Sequence, residues 1–109
     1  MSINRLERLL EFLENEPNDP FLKYALATEY LRLNNLDKAL FFYLDLVNKH
    51  TDYVGTYYHF GKLYEILKQP NEALKIYEQG IEVAKKIKDQ HALNELLGVY
   101  NSLQDELYD

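Results

Sequence analysis

Apolar residues recur at three- and four-residue spacing along this chain, and polar residues fill the positions between them. At the start, Ile3, Leu6, Leu9, Leu10 and Leu13 fall on one helical face, while Arg and Glu occupy the other. The pattern predicts a first helix over about 2–16, with Ser2 as its N-cap and Asn15-Glu16-Pro17-Asn18 as its end. Asp19 followed by Pro20 is a start signal, a capping carboxylate before a proline whose missing N–H costs nothing in the first turn. A second helix runs from Pro20 to Leu33, and Asn34-Asn35 turns the chain into a third from Leu36 to Asn48. His50-Thr51-Asp52 separates it from a fourth, Tyr53 to Leu67. Lys68-Gln69-Pro70-Asn71 leads into a fifth that lasts to Lys88. Asp89 caps a sixth, whose stripe is Leu93, Leu96, Leu97, Tyr100, Leu103 and Leu107. Turns this short force neighbouring helices antiparallel, so the expected unit is the helical hairpin.

The hairpins repeat. Residues 20–53 align without a gap on residues 54–87, a shift of 34. Tyr24 meets Tyr58, Tyr30 meets Tyr64, Leu33 meets Leu67, Ala39 meets Ala73, Leu40 meets Leu74, and Tyr43 meets Tyr77. Identities at matching points of two helix-turn-helix units mark a repeat architecture.

With this period and with Tyr57, Phe60, Gly61, Tyr64, Ala73 and Tyr77 in the second unit, the chain resembles the tetratricopeptide repeat family. The first unit carries Leu26, Ala27, Tyr30, Ala39 and Tyr43 in the same places, and Pro17 stands where the family closes a repeat. Three departures stand out: Lys23 replaces an aromatic, Thr51 replaces the closing proline, and the fifth helix runs long. The resemblance implies an all-α, right-handed superhelix of antiparallel hairpins, a single domain over 1–109. It would comprise an N-terminal half repeat (2–16), two full repeats (20–53 and 54–87) and a C-terminal capping helix (89–108). Gly61 and Ala27 are small because the helices of a hairpin cross there, opposite Ala73 and Ala39. Tyr30, Tyr43, Tyr64 and Tyr77 are expected to fill the space between hairpins, their hydroxyls reaching polar partners.

The resemblance also implies a function. In this family the first helix of each repeat lines a concave groove that holds partner segments. Carried onto this chain, that groove comprises Phe21, Tyr24, Thr28 and Arg32 from one repeat, and Tyr58, His59, Lys62 and Glu65 from the next. Tyr24 and Thr28 share a helical face, as do Tyr58 and Lys62. Two readings of the tyrosines stand side by side: anchors in the groove, or packing against neighbouring helices. The clamp of Lys and Asn by which some family members grip C-terminal carboxylates is not expected, because Tyr24, Thr28 and His59 hold the matching places. Leu40-Phe41-Phe42-Tyr43-Leu44 covers more than one turn and cannot all face inward. Phe41 or Phe42 therefore packs against the N-terminal helix or forms a surface for self-association, a route to a homodimer.

Composition narrows the alternatives. Apolar residues make up 47% of the chain, enough for a core in one domain. The net charge of −6 speaks against nucleic acid as partner, and Lys85-Lys86 with Lys88 reads as cations at a helix C-terminus rather than a phosphate site. No cysteine is present, which removes thiolate metal sites and thiol nucleophiles. His50, His59 and His91 lack partners at metal-ligand spacing, and no phosphate loop, nucleophile motif or cofactor motif appears. The opening residues carry no signal-peptide pattern and no stretch is long enough for a membrane span. The sequence thus predicts a cytoplasmic, non-catalytic module for binding a protein or peptide, with a self-assembling module that dimerises through Phe41/Phe42 or the terminal helices as the alternative.

Overall fold

A computed structural model describes residues 4–108, and all of its regular elements there are helices. They are α1 (Arg5–Asn15), α2 (Pro20–Arg32), α3 (Leu36–Lys49), α4 (Gly55–Ile66), α5 (Pro70–Ile87) and α6 (Gln90–Tyr108). Ser2 and Ile3, expected in the first helix, lie outside the described residues. The observed cap of α1 is Asn4, whose side chain accepts from the Glu7 N–H at 2.8 Å. Asp19 caps α2 as expected, accepting from the Phe21 N–H at 2.9 Å with Pro20 in the first turn. Asp89 does the same for Ala92 at the start of α6, at 3.0 Å.

Three helix ends use one device. Asn34, Lys68 and Lys88 adopt left-handed backbone at φ 61°, 60° and 62°. The next amide then reaches back five residues: Asn35 N–H to Tyr30 O at 2.8 Å, Gln69 to Tyr64 at 2.9 Å, and Asp89 to Ala84 at 2.9 Å. This Schellman closure satisfies carbonyls that the helix end would orphan. Asn adopts that backbone at low cost, whereas lysine at the other two positions is held there by the closure. α4 begins two residues later than the apolar pattern suggests, because Tyr53 and Val54 form a turn whose carbonyls accept from the Thr56 and Tyr57 N–H groups at 3.2 and 3.3 Å.

The helices form two compact units, Met1–His50 and Thr51–Asp109. In the first, α2 packs against α3 as a hairpin and α1 lies along α2. Ala27, Ala39, Tyr43 and Leu46 are fully buried there. In the second, α4 and α5 form the hairpin, and α6 covers α5 and touches α4. Its centre is Tyr57, Phe60, Gly61, Leu63, Ala73 and Tyr77, with Leu96 and Leu103 from α6. The crossing of α4 over α5 is tight: a Cβ placed on Gly61 would fall inside the Tyr77 ring. A second close approach brings Gly80 against Tyr57 and Leu96. This is an all-α helical repeat fold.

Lys23 solves its misfit with charge. Only 5% of the residue is exposed, yet its ammonium lies 2.7 Å from Asp45 Oδ2 and donates to His50 Nε2 at 3.2 Å. Lys49 adds a second contact to Asp45 at 3.0 Å. In the second unit the corresponding residue is Tyr57, which is buried and donates its hydroxyl to Thr51 O at 2.6 Å. Glu29 is likewise buried and paired, with Arg32 Nε at 2.6 Å and Arg5 Nε of α1 at 3.4 Å. A charge buried this way is tolerable only while its partners are in place.

Two outcomes follow from this packing. Gly61→Ala should cost about 1–3 kcal/mol of stability, since the Tyr77 ring must move. Gly98→Ala, where an added Cβ meets nothing within 4 Å in α6, should instead stabilise by up to ~1 kcal/mol. Urea unfolding of both variants checks the contrast. The second outcome concerns acid. Burial pushes the Asp45 carboxyl up, but its bonds to Lys23 and Lys49 outweigh that and hold it below the usual carboxylate range. A lowered folded-state value means the contribution of Asp45 is complete above about pH 4 and is lost as pH falls through the folded value. Unfolding free energy measured against pH should therefore fall less steeply below about pH 4 in Asp45→Asn than in wild type, and Asp45→Asn should be the weaker protein at neutral pH.

Candidate functional site

Helix α2 buries Leu22, Lys23, Ala25, Leu26, Ala27, Glu29 and Tyr30, which leaves a narrow open side. Phe21, Tyr24, Thr28 and Arg32 fall on it. Phe21 is 58% exposed and Tyr24 and Thr28 are half-buried. Thr28 donates its hydroxyl back to the Ala25 carbonyl at 3.0 Å. Arg32 is exposed, but its Nε is committed to Glu29. The open side of α2 is therefore more aromatic and less charged than its residue types suggest.

On α4 the buried set is Thr56, Tyr57, Phe60, Gly61 and Leu63. Tyr58, His59 and Lys62 stand on the opposite side, half-buried. The Lys62 ammonium lies over the Tyr58 ring at 5.8 Å from its centroid, and the His59 ring meets Tyr58 edge-on at 5.3 Å. Burial pulls the His59 imidazole below its usual range, against an opposing pull from Glu95 of α6. Glu65 behaves differently from its neighbours. It accepts the Tyr77 hydroxyl at 2.5 Å and sits 3.8 Å from Lys62, which ties it to the hairpin interior. Burial, and then the Glu65 carboxylate beside it, push the Tyr77 phenol well above its ordinary value, so it stays a donor. Ile66, which the sequence reading passed over, is 54% exposed. It continues the four-residue spacing of Tyr58 and Lys62, and that spacing is the signal that could have found it.

The aromatic run of α3 divides between its two phenylalanines. Phe42 stacks on Tyr30 at 5.9 Å with an interplanar angle of 11°, and Phe41 caps it edge-on at 5.2 Å while remaining 64% exposed. Neither packs on α1, because α3 contacts α2 alone within its unit. The lysines at the end of α5 are spent on pairs, Lys86 with Asp52 at 3.2 Å and Lys85 with Glu82 at 3.7 Å. Among the described residues no three ligating side chains converge on one point, and no helix is long and apolar enough to cross a membrane.

A family model described as the tetratricopeptide repeat matches residues 54–87, the α4–α5 hairpin with its flanks. The crystal structure of a tetratricopeptide repeat domain protein from Salinibacter ruber is 46% identical, over 80% of this chain and 97% of that one, with a TM-score of 0.76. A solution structure of such a protein from the same organism is 46% identical over 82% and 90% of the two chains, with a TM-score of 0.79. A protein from Bordetella parapertussis shares the fold at 22% identity, over 96% and 91% of the chains and with a TM-score of 0.82. No curated protein matches. With the hairpin crossing, the period and this similarity together, the chain belongs to the tetratricopeptide repeat family.

Proposed function

We propose that this chain is a protein-binding module that presents the open sides of its first-in-hairpin helices to a segment of a partner protein. Tetratricopeptide repeats generally mediate protein–protein interaction and are typically non-catalytic. The observation that carries the proposal is the row on α4: Tyr58 under the Lys62 ammonium, followed by exposed Ile66. Such a row combines a flat aromatic, a cation and an aliphatic at one-turn spacing. It suits a partner segment carrying an apolar side chain beside a carboxylate, since aromatic anchors dominate interface energetics. On α2, Phe21 and Tyr24 offer a second aromatic surface with less charge. The protein's net charge of −6 supports a protein or peptide partner over nucleic acid. It also makes the Lys62 cation a local exception on an acidic molecule, and thus a point of selectivity.

The competing reading is self-association through the α3 apolar run or the terminal helices; on α3 it rests on exposed Phe41 and Leu44, because Phe42 is engaged with Tyr30. Affinity capture from extract of the source cells separates the two. Tyr58→Ala should reduce recovery of a specific protein about thirtyfold, corresponding to a cost of ~2 kcal/mol, with an unchanged melting temperature measured on the same sample. Tyr24→Ala is the parallel variant on α2. Phe41→Ser should leave recovery intact. Capture that survives Tyr58→Ala and Tyr24→Ala but is lost in Phe41→Ser would transfer the working surface to α3.

A further inference from the structure

Helix α1 is used on one side only. It packs along α2, with Leu9 buried and Leu6 and Leu13 half-buried. Beside that contact Arg5, Arg8, Leu9 and Phe12 line a cavity of about 470 Å³, and Phe12 is 56% exposed. Arg8 has no ion-pair partner among the described residues. The Arg5 guanidinium contacts Glu29 at 3.4 Å yet keeps most of its side chain in solvent. An aromatic and two arginines left open on a chain of net charge −6 form a face that invites a partner.

The charge order along α1 specifies which one. The arginines, Arg5 and Arg8, stand in its first half, where the Glu7 carboxylate accepts from the Asn4 side chain at 3.5 Å. The second half and its C-cap carry Glu11, Glu14 and Glu16. Laid parallel, two such helices would set like charges level. Laid antiparallel about a point near Leu9, each sets Arg8 beside Glu11 of the other, while Glu14 stands on the far side of the helix. The geometry points to a second copy of this chain as the occupant, docked α1 to α1 about a two-fold axis. A two-fold contact is self-complementary, so every favourable pair occurs twice. Arg5 of each copy lies over Phe12 of the other, a cation–π contact. Phe12 excludes water at the centre, above Leu9 that α2 already buries, while Arg8 meets Glu11 at the edge. This surface uses none of the α2 and α4 residues assigned to a foreign partner, so a dimer would carry two sets of them.

The face spans an 11-residue helix, about 16 Å long, which places the interface at the small end of specific contacts. Association is therefore expected with a dissociation constant of ~10–100 µM, weak enough to respond to concentration. Sedimentation of the full chain from about 5 µM to 1 mM tests it. Wild type should pass from monomer to dimer, and no further. Phe12→Glu should weaken association at least tenfold without changing helical dichroism or melting temperature. Arg8→Glu should also weaken it, and adding Glu11→Arg to the same chain should restore it, because self-complementarity returns with the charges exchanged. Should Phe12→Glu lose helicity, Arg8→Cys provides the second route: with no native cysteine, mild oxidation should link two copies near the axis, whereas Lys75→Cys on α5 should not link. A wild type that stays monomeric at ~1 mM overturns the proposal. So does a dimer that survives Phe12→Glu and dissociates in Phe41→Ser, and so does a monomer whose α1 face binds an acidic amphipathic peptide instead.

Discussion

The close crossing of two helices at a small residue is the constraint on which each hairpin depends. In the second unit Gly61 lets α4 come down onto the Tyr77 ring, and no side chain could replace that hydrogen without moving the ring. Once the crossing is set, Tyr77 is fully buried, and its hydroxyl emerges beside Glu65 and donates to it. The first unit meets the same demand with Ala27 and Tyr43, both fully buried. Close packing leaves no slack for larger residues at such a point, so the remaining positions on the two helices have their burial assigned by it. Phe60 and Leu63 go in, and Tyr58, Lys62 and Ile66 go out. The open sides with functional interest are thus a by-product of where the crossing falls.

Equivalent positions in the two units show how much variation that frame accepts. Lys23 and Tyr57 occupy the same place, one paired with Asp45 and His50, the other bonded to the Thr51 carbonyl. Glu29 and Leu63 are another such pair, and the carboxylate needs Arg5 and Arg32 where leucine needs nothing. Burying ions is no gain over burying hydrocarbon of similar size. What the charges add to the first unit is a requirement that α1 and α3 supply particular partners. At these two positions the second unit needs no buried ion, and Gly80 makes room for Tyr57.

The hairpins were legible because their signals are local. Period, turns and caps each lie within a few residues, and the Asp19 and Asp89 caps stand where the sequence places them. Ser2 was a reasonable cap by type, but the chain offers Asn4 three residues before Glu7, and the observed bond uses it. The fate of single side chains depended on partners far along the chain and was not legible. Nothing near Lys23 announces Asp45, and nothing near Glu65 announces the Tyr77 hydroxyl. The same holds for Phe42, whose partner Tyr30 sits on the other helix of the hairpin. Candidate residues on α2 and α4 could thus be placed on a face by spacing, but their freedom to bind could not be judged. Arg32 and Glu65 illustrate the difference, since both hold charges already answered within the fold.

Both the first and the last helix leave apolar side chains open, and their surroundings differ. α6 buries Leu96 and Leu103 and exposes Leu97, Leu107 and Tyr108 among His91, Asn94, Glu95, Ser102 and Asp105. α1 turns outward Phe12 and the hydrocarbon of Arg8, with Arg5 half-engaged. In a helical repeat, apolar surface left open on a helix gains from being covered. An exposed phenylalanine also carries a solubility cost, which flanking arginines and glutamates reduce by keeping the patch small. The alternation of charge that limits nonspecific sticking is the same alternation that would select an antiparallel copy in the proposed dimer. On α1, therefore, protection against aggregation and specificity for that copy would come from one arrangement of residues.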